Sequence, residues 1–309
     1  MKEFSIPSRG KGFLHCISWE PDGPVRGIVQ IVHGIAEYAA RYDEFARFLN
    51  QSGFLVVAED HMGHGGSLAP GSPPGRFYGG WEAAVDDVHS LLTQTRAQYP
   101  ALPCFLLGHS MGSFLIQTML YRHPDAPLSG VILCGTAWHS ASSVCAGQVL
   151  CRSICRLHGK DKPAPLLRKW IFGNYNNQIE HPQTPFDWVC GDHQALSAFL
   201  EDPLCGFAET AGLDRDMLHG IQMNQRLRNL EKMPKKLPVL FAAGMQDPVG
   251  AYGKGVLQAM RAFQRAGMQK VEIQFYAKSR HEILNDTEKQ QVYRDMQAWL
   301  LAHLAVSRR

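Results

Sequence analysis

The amino-acid sequence predicts an α/β fold, in which a mostly parallel central sheet is flanked by helices and carries a mostly helical insertion between two of its strands. Short apolar runs of the length of buried strands alternate with amphipathic helical patterns along most of the chain. One long interval interrupts this alternation. A serine also stands between two glycines at the end of one apolar run, where a helical pattern begins.

The strands are predicted from short apolar runs that are bounded by turn residues. Residues 3–6 and 13–19 look like an antiparallel start to the sheet. Because parallel strands are apolar throughout rather than alternating, the remaining runs are expected to be covered on both faces. These runs are residues 27–32, 54–59, 103–107, 130–134, 237–243 and 271–276.

Amphipathic helices are predicted between the strands. One early segment has apolar residues at the i, i+3, i+4, i+7 spacing of a helix face, namely Tyr42, Phe45, Ala46 and Leu49. Similar patterns predict helices over residues 81–98, 256–266 and 287–304. Another helix is expected to start after the serine motif and to end before Pro124.

The long interval, residues 138–236, has no convincing strand pattern but many helix-forming residues and clustered aromatic side chains. A structureless loop of this length is implausible within a compact domain. We therefore predict a helical cap over residues 138–236, inserted between two parts of a core, residues 1–137 and 237–309. Because ligands bind beyond the carboxyl ends of the strands in open α/β sheets, the cap is expected to cover the binding site.

Composition argues against several classes of protein. The 309 residues carry a net charge of +3 and are 45% hydrophobic, which describes a globular protein without the strongly basic surface of a nucleic-acid-binding protein. The first twenty residues lack the apolar stretch of a secretory signal, and no run of about eighteen apolar residues predicts a membrane span. The 8 cysteines are scattered, without a C-x-x-C pair. A soluble cytoplasmic protein with reduced thiols is the expectation.

The serine motif is G-x-S-x-G, running from Gly108 to Gly112 with Ser110 at its centre. A nucleophile elbow needs a strand that runs into the serine and a helix that leaves it, and both patterns are present here. The turn between them is so tight that only small side chains fit at the two glycine positions. Ser110 is therefore the candidate nucleophile, and a glycine-rich turn with an idle serine is the alternative.

A serine hydroxyl needs a base, and the base needs a partner that fixes its tautomer. Asp247 and His281 follow the last two predicted strands, in the chain order Ser, Asp, His that is expected of this architecture. Each alone has another interpretation, since Asp247 can start a turn before a proline and His281 is one of 14 histidines. Together with the serine they favour a catalytic triad. Of the nearby acids, Glu282 is expected to point elsewhere and Asp286 to cap the last helix.

Attack on a carbonyl group develops negative charge on oxygen, which preorganised backbone N–H groups stabilise. We expect one donor at Met111, directly after the nucleophile, and the other at Ile35, after the strand in IVQIVHG.

In the stretch EDHMGHGGS, His61 and His64 raise the alternatives of a metal site and of a loop that braces its neighbours. We favour the bracing loop, so neither a metal nor a cofactor is expected.

The stretches HGIAEY, DHMGHGGS, GHSMGS, AAGMQDPVG and SRHEILND together resemble the monoglyceride lipase and lysophospholipase branch, of serine aminopeptidase type, within the α/β-hydrolase superfamily. The resemblance covers the core almost from end to end, and TPFDWV and DPLCGF extend it into the cap. It implies the α/β-hydrolase fold, with Ser110 as nucleophile, His281 as general base and Asp247 as its partner. It also implies Ile35 and Met111 as oxyanion-hole donors, which the motifs indicate independently.

The predicted activity is hydrolysis of small-molecule acyl esters through an acyl-enzyme. The apolar and aromatic content of the cap suggests a substrate with an acyl chain, a monoacylglycerol or a lysophospholipid, although such side chains are also typical of a cap's own core. The cap stretch PLLRKWIFGNY adds the hypothesis of transient contact with a membrane surface. Its apolar residues Leu166, Leu167, Trp170 and Ile171 stand beside Arg168 and Lys169.

Two other functions stay open at this point. An aminopeptidase of proline-iminopeptidase type would use the same fold and triad, with a cap acid to hold the free amine of the substrate. The cap offers Glu180, Asp187, Asp192, Glu201, Asp202, Glu209, Asp214 and Asp216. A non-catalytic binding protein on this fold would be expected to have a degraded triad, which the sequence does not show. The oligomeric state, the acyl chain length and the head group are left open.

Overall fold

A central sheet organises the structure, a computed structural model that describes residues 1–304 apart from the side chains of Leu166 and Trp170. Its strands are β1 (Lys2–Pro7), β2 (Phe13–Trp19), β3 (Gly27–Val32), β4 (Phe54–Glu59), β5 (Cys104–His109), β6 (Gly130–Cys134), β7 (Val239–Gly244) and β8 (Val271–Tyr276). They form one eight-stranded sheet in the order β1-β2-β4-β3-β5-β6-β7-β8.

The sheet is antiparallel at one end and parallel elsewhere. β1 pairs antiparallel with β2, and β2 with β4, whereas the other neighbouring strands run parallel. Every residue of β3 through β7 is buried, which explains why these strands appear in the sequence as continuous apolar runs. The predicted α/β class is confirmed. β5 and β7 begin only after Pro103 and Pro238, because proline has no N–H to donate to a ladder.

The described helices cover both faces of the sheet and the interval between β6 and β7. They are α1 (Asp43–Asn50), α2 (Gly80–Gln98), α3 (Met111–Arg122), α4 (Ala141–His158), α5 (Pro165–Phe172), α6 (His193–Glu201), α7 (Ala211–Asn224), α8 (Leu227–Leu230), α9 (Lys254–Arg265) and α10 (Lys289–Leu304). The helices predicted between core strands correspond to α1, α2, α3, α9 and α10. One apolar cluster packs α2, α3 and α9 against the sheet, and a second packs α1 and α10 against its other face.

The segment between β6 and β7 contains α4 to α8 and one isolated bridge, between Pro163 and Thr210. Its helical content is as expected, and α7 packs against both α3 of the core and α4. The division into a core and a cap at residues 138 and 236 stays a prediction. We keep the name cap for residues 138–236.

The membrane hypothesis for the cap is wrong in one part. Leu167 is fully buried among Cys151, Ala164 and Ala211, so it cannot contact a membrane surface. The side chains of Leu166 and Trp170 lie outside the described residues. Contact of the cap with a membrane otherwise stays a prediction, as does a cytoplasmic location. Within residues 1–304, no helix is both long and apolar enough to cross a bilayer.

Candidate active site

The candidate nucleophile lies at a sharp turn between β5 and α3. Ser110 has φ 50° and ψ −120°, a strained conformation for a residue with a side chain. A Cβ atom on Gly112 would lie 2.0 Å from the carbonyl oxygen of Val32, and one on Gly108 would lie 2.8 Å from the backbone of Gly112. The two glycines therefore let the turn pass close to β3, as the motif predicts.

The candidate base and its acid lie in the loops after β8 and β7. The ring Nδ1 of His281 is 3.0 Å from Oδ2 of Asp247, across a sequence separation of 34 residues. The other carboxylate oxygen, Oδ1, accepts the N–H of Val249 at 2.8 Å, which fixes the rotation of the Asp247 side chain. Both side chains are buried, with Asp247 fully inaccessible. This is the geometry by which a carboxylate holds an imidazole in one tautomer.

The protonation of His281 is set by two opposing influences. Burial lowers the pKa of this imidazole, but the Asp247 carboxylate and its hydrogen bond raise it. Smaller contributions from Glu282 and Glu37 act in the same direction. The attraction of these carboxylates outweighs burial, so the pKa of His281 lies above its ordinary value of 6.5. The imidazolium that forms during a proton transfer is therefore stabilised in place.

Ser110 and His281 line one large cavity between the core and the cap. Its volume is about 780 Å³, within the range of pockets that hold small-molecule ligands. Gly34 and Ile35, after β3, line the same cavity. The structure thus brings three predicted site residues, Ser110, His281 and Ile35, to one cavity, with Asp247 behind His281.

The backbone N–H groups of Met111 and Ile35 are arranged differently. Met111 is the first residue of α3, so its N–H has no acceptor within the helix. The direction of the Ile35 N–H is set by the carbonyl of Gly34 in the same peptide group. The oxygen of Gly34 lies 2.7 Å from Nδ1 of His33. Because a peptide bond is almost always trans, the N–H of Ile35 points away from His33. A Cβ atom on Gly34 would lie 3.1 Å from Cβ of Ser110, so this loop passes directly beside the nucleophile.

The tautomer of His33 follows from its neighbours. The N–H of His61 donates to Nε2 of His33 at 2.9 Å, so that nitrogen must be unprotonated. The ring proton is then on Nδ1, which donates to the carbonyl of Gly34. Burial, and next the neighbouring imidazoles of His61 and His64, hold the pKa of His33 well below its ordinary value. His33 is therefore a neutral, fixed support for the Gly34–Ile35 peptide.

A buried charge network supports the loop Gly34–Arg41, which we call the oxyanion loop. Glu37 accepts the N–H of Gly34 at 2.6 Å and the hydroxyl of Tyr42 at 3.0 Å. Arg41 donates to Glu37 at 2.7 Å and to both oxygens of Glu282 at 2.7 and 2.6 Å. The network thus joins the oxyanion loop to the residue that follows His281. As predicted, Glu282 does not compete with Asp247 for the imidazole.

The cap and the neighbouring core enclose the His281 ring. The ring of Trp188, from the cap, lies 5.3 Å from it between centroids, and that of His109 lies 4.8 Å away. Burial lowers the pKa of His109 to about 3, so His109 is neutral at physiological pH and does not act as a second charged imidazole. The N–H of Glu282 donates to the carbonyl of Val189 at 2.8 Å, which fastens this part of the cap to the histidine loop.

Asp286 differs from expectation. The sequence predicts that it caps the last helix, but its Oδ2 accepts the N–H of Arg280 at 2.7 Å and its Oδ1 accepts that of Gly191 in the cap at 3.0 Å. A third bond, from Thr287, is local. α10 begins only at Lys289, beyond the reach of a capping role for this carboxylate. Asp286 therefore braces the histidine loop against the cap.

The loop EDHMGHGGS braces its surroundings, as favoured from the sequence. Asp60 accepts the N–H of Ala39 at 2.7 Å through one oxygen and that of Gly66 at 2.7 Å through the other. The backbone of His61 supports His33, and the ring of His64 packs 5.4 Å from that of Phe207 in the cap. Through Asp60 and His61, the EDHMGHGGS loop holds Ala39 and His33 in place and so supports the oxyanion loop.

Sequence reasoning missed Arg41, His33 and the supporting role of Glu37. A local signal exists for one of them, because Glu37 stands three residues after Gly34 in HGIAEY, within reach of its N–H. The pairing of Arg41 with Glu282 spans 241 residues, and nothing near either residue indicates it.

Comparison with known proteins supports the fold and the chemistry. A family model described as serine aminopeptidase, S33, matches residues 23–288. The monoglyceride lipase of Homo sapiens is 31% identical over 78% of this chain and 73% of its own length. The monoacylglycerol lipase of Mycolicibacterium smegmatis is 28% identical over 93% of this chain and 92% of its own.

Among solved structures, a thermostable carboxyl esterase from Bacillus coagulans in complex with glycerol superposes with a TM-score of 0.89. It is 30% identical, and the match covers 98% of each chain. A monoglyceride lipase variant from Saccharomyces cerevisiae, 18% identical with a TM-score of 0.76 over 94% of this chain and 92% of its own, shows the same fold. The chain therefore belongs to the serine aminopeptidase S33 family, in the monoglyceride lipase-like branch of the α/β-hydrolases, and is a serine ester hydrolase.

Proposed function

We propose that the chain hydrolyses monoacylglycerols, with Ser110 as nucleophile, His281 as general base and Asp247 as its partner. The observation that carries the proposal is a single cavity that contains Ser110 and His281 and is walled by both long apolar and charged side chains. Such a cavity matches a substrate with one acyl chain and a polar alcohol. Asp247, 3.0 Å from His281, supports the assignment of the base.

In the acylation step, Oγ of Ser110 attacks the ester carbonyl while its proton passes to Nε2 of His281. The carbonyl oxygen becomes an oxyanion that accepts the N–H groups of Ile35 and Met111. When the tetrahedral intermediate collapses, the C–O bond to the alcohol breaks. His281 returns its proton to the leaving alkoxide, so an alcohol departs and an acyl-enzyme remains.

In the deacylation step, water takes the place of the alcohol. His281 removes a proton from the water, and the hydroxide attacks the acyl carbonyl under the same two N–H donors. Collapse releases the fatty acid and returns the proton from His281 to Ser110. Asp247 stays ionised and stabilises the imidazolium in both steps. The sequence of steps needs no cofactor.

The two kinds of wall indicate how the substrate is oriented. The apolar lining includes Phe114, Val144, Met217, Leu218 and Ile221, from α3, α4 and α7, and is suited to the acyl chain. We use the name charged wall for the charged residues of the same lining that are ion-paired, Glu37, Glu282, Arg168 and Glu209. Hydroxyl groups of a glyceryl moiety can bond to such residues without bringing a charge into the cavity.

The charged wall favours a neutral head group over a phosphodiester. Arg168 is engaged with Glu209 at 2.8 Å and with the carbonyls of Phe207 and Gly206. Arg41 is likewise committed to Glu37 and Glu282. The cation Lys169 also lines the cavity, but it lies on the exposed side of α5. Lysophospholipids are therefore the second choice.

The aminopeptidase alternative has weaker support. Of the eight cap acids considered, Glu209 alone lines the described cavity. Its Oε2 forms an ion pair with Arg168, which already neutralises the charge that would attract an amine, and Oε1 is left without a hydrogen-bond partner in the described structure. Burial, which outweighs the attraction of Arg168, raises the pKa of Glu209 and further weakens such a role.

The test is hydrolysis of a chain-length series of 1-monoacylglycerols and the matching lysophosphatidylcholines by the wild type and by Ser110→Ala. We expect turnover of the glycerol esters, a preference for them over lysophospholipids, and a loss of roughly 10⁶ in kcat in the variant. Ser153→Ala, which removes an exposed hydroxyl of α4 that does not line the cavity, is the matched control and should stay near wild-type activity.

Three results would contradict the proposal. Substantial ester turnover by Ser110→Ala would mean that Ser110 is not the nucleophile. A preference for lysophospholipids would overturn the choice of head group. Release of an N-terminal residue from peptides, without ester turnover, would replace the ester substrate altogether.

A further inference from the structure

The cap contacts the oxyanion loop directly, and we call this contact the cap latch. The hydroxyl of Tyr38 donates to Oδ2 of Asp202 at 2.7 Å. The N–H of Gly206 donates to the carbonyl of Ala36 at 2.9 Å. Asp202 and Gly206 flank the short loop that follows α6. Two hydrogen bonds thus join one cap loop to the residues that follow Ile35.

The latch holds a strained part of the chain. Ala36 has φ 53°, a left-handed conformation that is unfavourable for a residue with a side chain. A residue keeps such a conformation only where its surroundings determine it. The bond from Gly206 reaches Ala36 itself, directly after the Ile35 amide.

Asp202 is positioned to act as a fixed acceptor. Its Oδ1 accepts the N–H of Leu204 at 2.8 Å, which leaves Oδ2 for Tyr38. Burial, and then the bond to Asp202, raise the pKa of Tyr38 well above its ordinary value. Tyr38 therefore remains a hydroxyl donor over the whole working pH range.

A third cap contact lies beside the latch. The guanidinium of Arg41 stacks 4.9 Å from the ring centroid of Phe199 in α6. Arg41 is the residue that joins Glu37 to Glu282. The cap therefore contacts the oxyanion loop at both its middle and its end.

We propose that Tyr38 and the cap residue Asp202 are positioning residues for the oxyanion hole. Their hydrogen bond, with that of Gly206 to Ala36, holds the Ile35 N–H in the direction that the oxyanion requires. The hole is then complete only while the cap loop is seated on the core. Neither residue touches the substrate in this account. The inference rests on the proposed function, in which Ile35 is an oxyanion donor.

Tyr38→Phe tests the proposal with the smallest change, because it removes one oxygen atom and no ring. Tyr78→Phe is the matched control: its hydroxyl bonds to Ser72, away from the cavity. Removal of a complete oxyanion donor costs about 10²–10³ in kcat. A donor that is displaced rather than removed should cost about tenfold in kcat, with KM changed less than about twofold. Tyr78→Phe should retain wild-type kcat.

Inhibitor binding separates positioning from a merely structural role. Oγ of Ser110 adds to the carbonyl carbon of an alkyl trifluoromethyl ketone, and the carbonyl oxygen becomes an oxyanion. An alkyl glyceryl ether binds in the cavity without reacting. We expect Tyr38→Phe to weaken the ketone about tenfold and the ether less than about twofold. A loss of general structural order would weaken both ligands alike.

Asp202→Asn and Asp202→Ala give a second line of evidence. Asparagine keeps one oxygen for the N–H of Leu204 and presents its amide NH2 to Tyr38, whose hydroxyl oxygen can accept it, so asparagine should restore most of the kcat that alanine loses. Equal losses in the two variants would contradict the hydrogen bond. Unchanged kcat and unchanged ketone affinity in Tyr38→Phe would overturn the proposal. An inactive wild type would instead refute the proposed ester hydrolysis, so the two failures are distinguishable.

Discussion

Two turns meet at the candidate active site, and they are held in place by different means. The nucleophile turn, Gly108 to Gly112, is fixed by backbone packing, since side chains at its glycines would collide with main-chain atoms. The oxyanion loop is fixed by polar side chains from distant parts of the chain. Asp60 holds its Ala39 amide, Glu282 holds its arginine, and the cap loop adds a third support.

The difference shows where the information for an active site lies. The nucleophile turn is indicated by a five-residue motif and is held by backbone contacts with β3, which do not titrate. The oxyanion loop depends on partners as far as 241 residues away and on their charges. Its position is therefore more sensitive to substitution of groups that never contact substrate.

Outside the two turns, the largest effect is expected at Asp247, and it gives a reference for the effects within them. Asp247→Asn removes the carboxylate from His281 while keeping its shape, so kcat for ester hydrolysis should fall by roughly 10⁴. Asp22→Asn, on an exposed turn, should be neutral. Steady-state kinetics decide the point. A loss below about tenfold would mean that Asp247 does not orient the base.

Gly112→Ala tests the nucleophile turn. The new Cβ would lie 2.0 Å from a backbone oxygen of β3, so the turn must move. We expect kcat to fall by at least about 10², because small displacements of reacting groups are costly, and stability to fall by about 1–3 kcal/mol. Gly23→Ala, with open space around it, is the control. Wild-type activity in Gly112→Ala would refute the steric account.

Arg41→Met tests the oxyanion loop. It leaves Glu37 and Glu282 buried without their shared cation, which should destabilise the fold by about 3–5 kcal/mol. Activity should fall less than in Gly112→Ala, by about tenfold, because the donors remain in the chain. Urea unfolding and ester turnover measure the two effects. Arg47→Met, whose ion pair with Asp43 is exposed, should change stability by less than about 1 kcal/mol.

A change of pH, without any substitution, separates the ionisation of His281 from that of Glu282 in the network that supports the oxyanion loop. His281 must be neutral to act as a base, and its pKa lies above 6.5, so kcat/KM should decline as pH falls through a value higher than 6.5. Burial opposes ionisation of Glu282, but Arg41 outweighs it and lowers the pKa of Glu282 to about 2.

Because the folded-state pKa of Glu282 is depressed, its stabilising contribution is present above the unfolded value and is lost only as pH falls towards 2. Activity should thus disappear in mild acid while the fold persists. A pH–rate profile beside a far-UV circular dichroism titration checks this. Simultaneous loss of activity and structure near neutral pH would contradict it.

Much of the fold was predictable from the sequence, and so were the positions of the candidate triad. Buried parallel strands leave continuous apolar runs, and Ser110, Asp247 and His281 each follow such a run. The oxyanion loop was predictable only at Ile35. Its supports are pairs such as Tyr38 with Asp202, 164 residues apart, and single-sequence patterns carry no information about such pairs. Asp286 was assigned to a helix cap for the same reason, since its partner Gly191 lies in the cap.

The central claim is that Ser110 becomes acylated. Rapid quenching of the enzyme with excess 4-nitrophenyl laurate, followed by proteolysis and peptide mass spectrometry, tests it most directly. We expect a lauroyl adduct on the peptide that contains Ser110, formed with the initial burst of 4-nitrophenol and absent from Ser110→Ala. An adduct at another residue, or turnover with a burst that persists in Ser110→Ala, would contradict it.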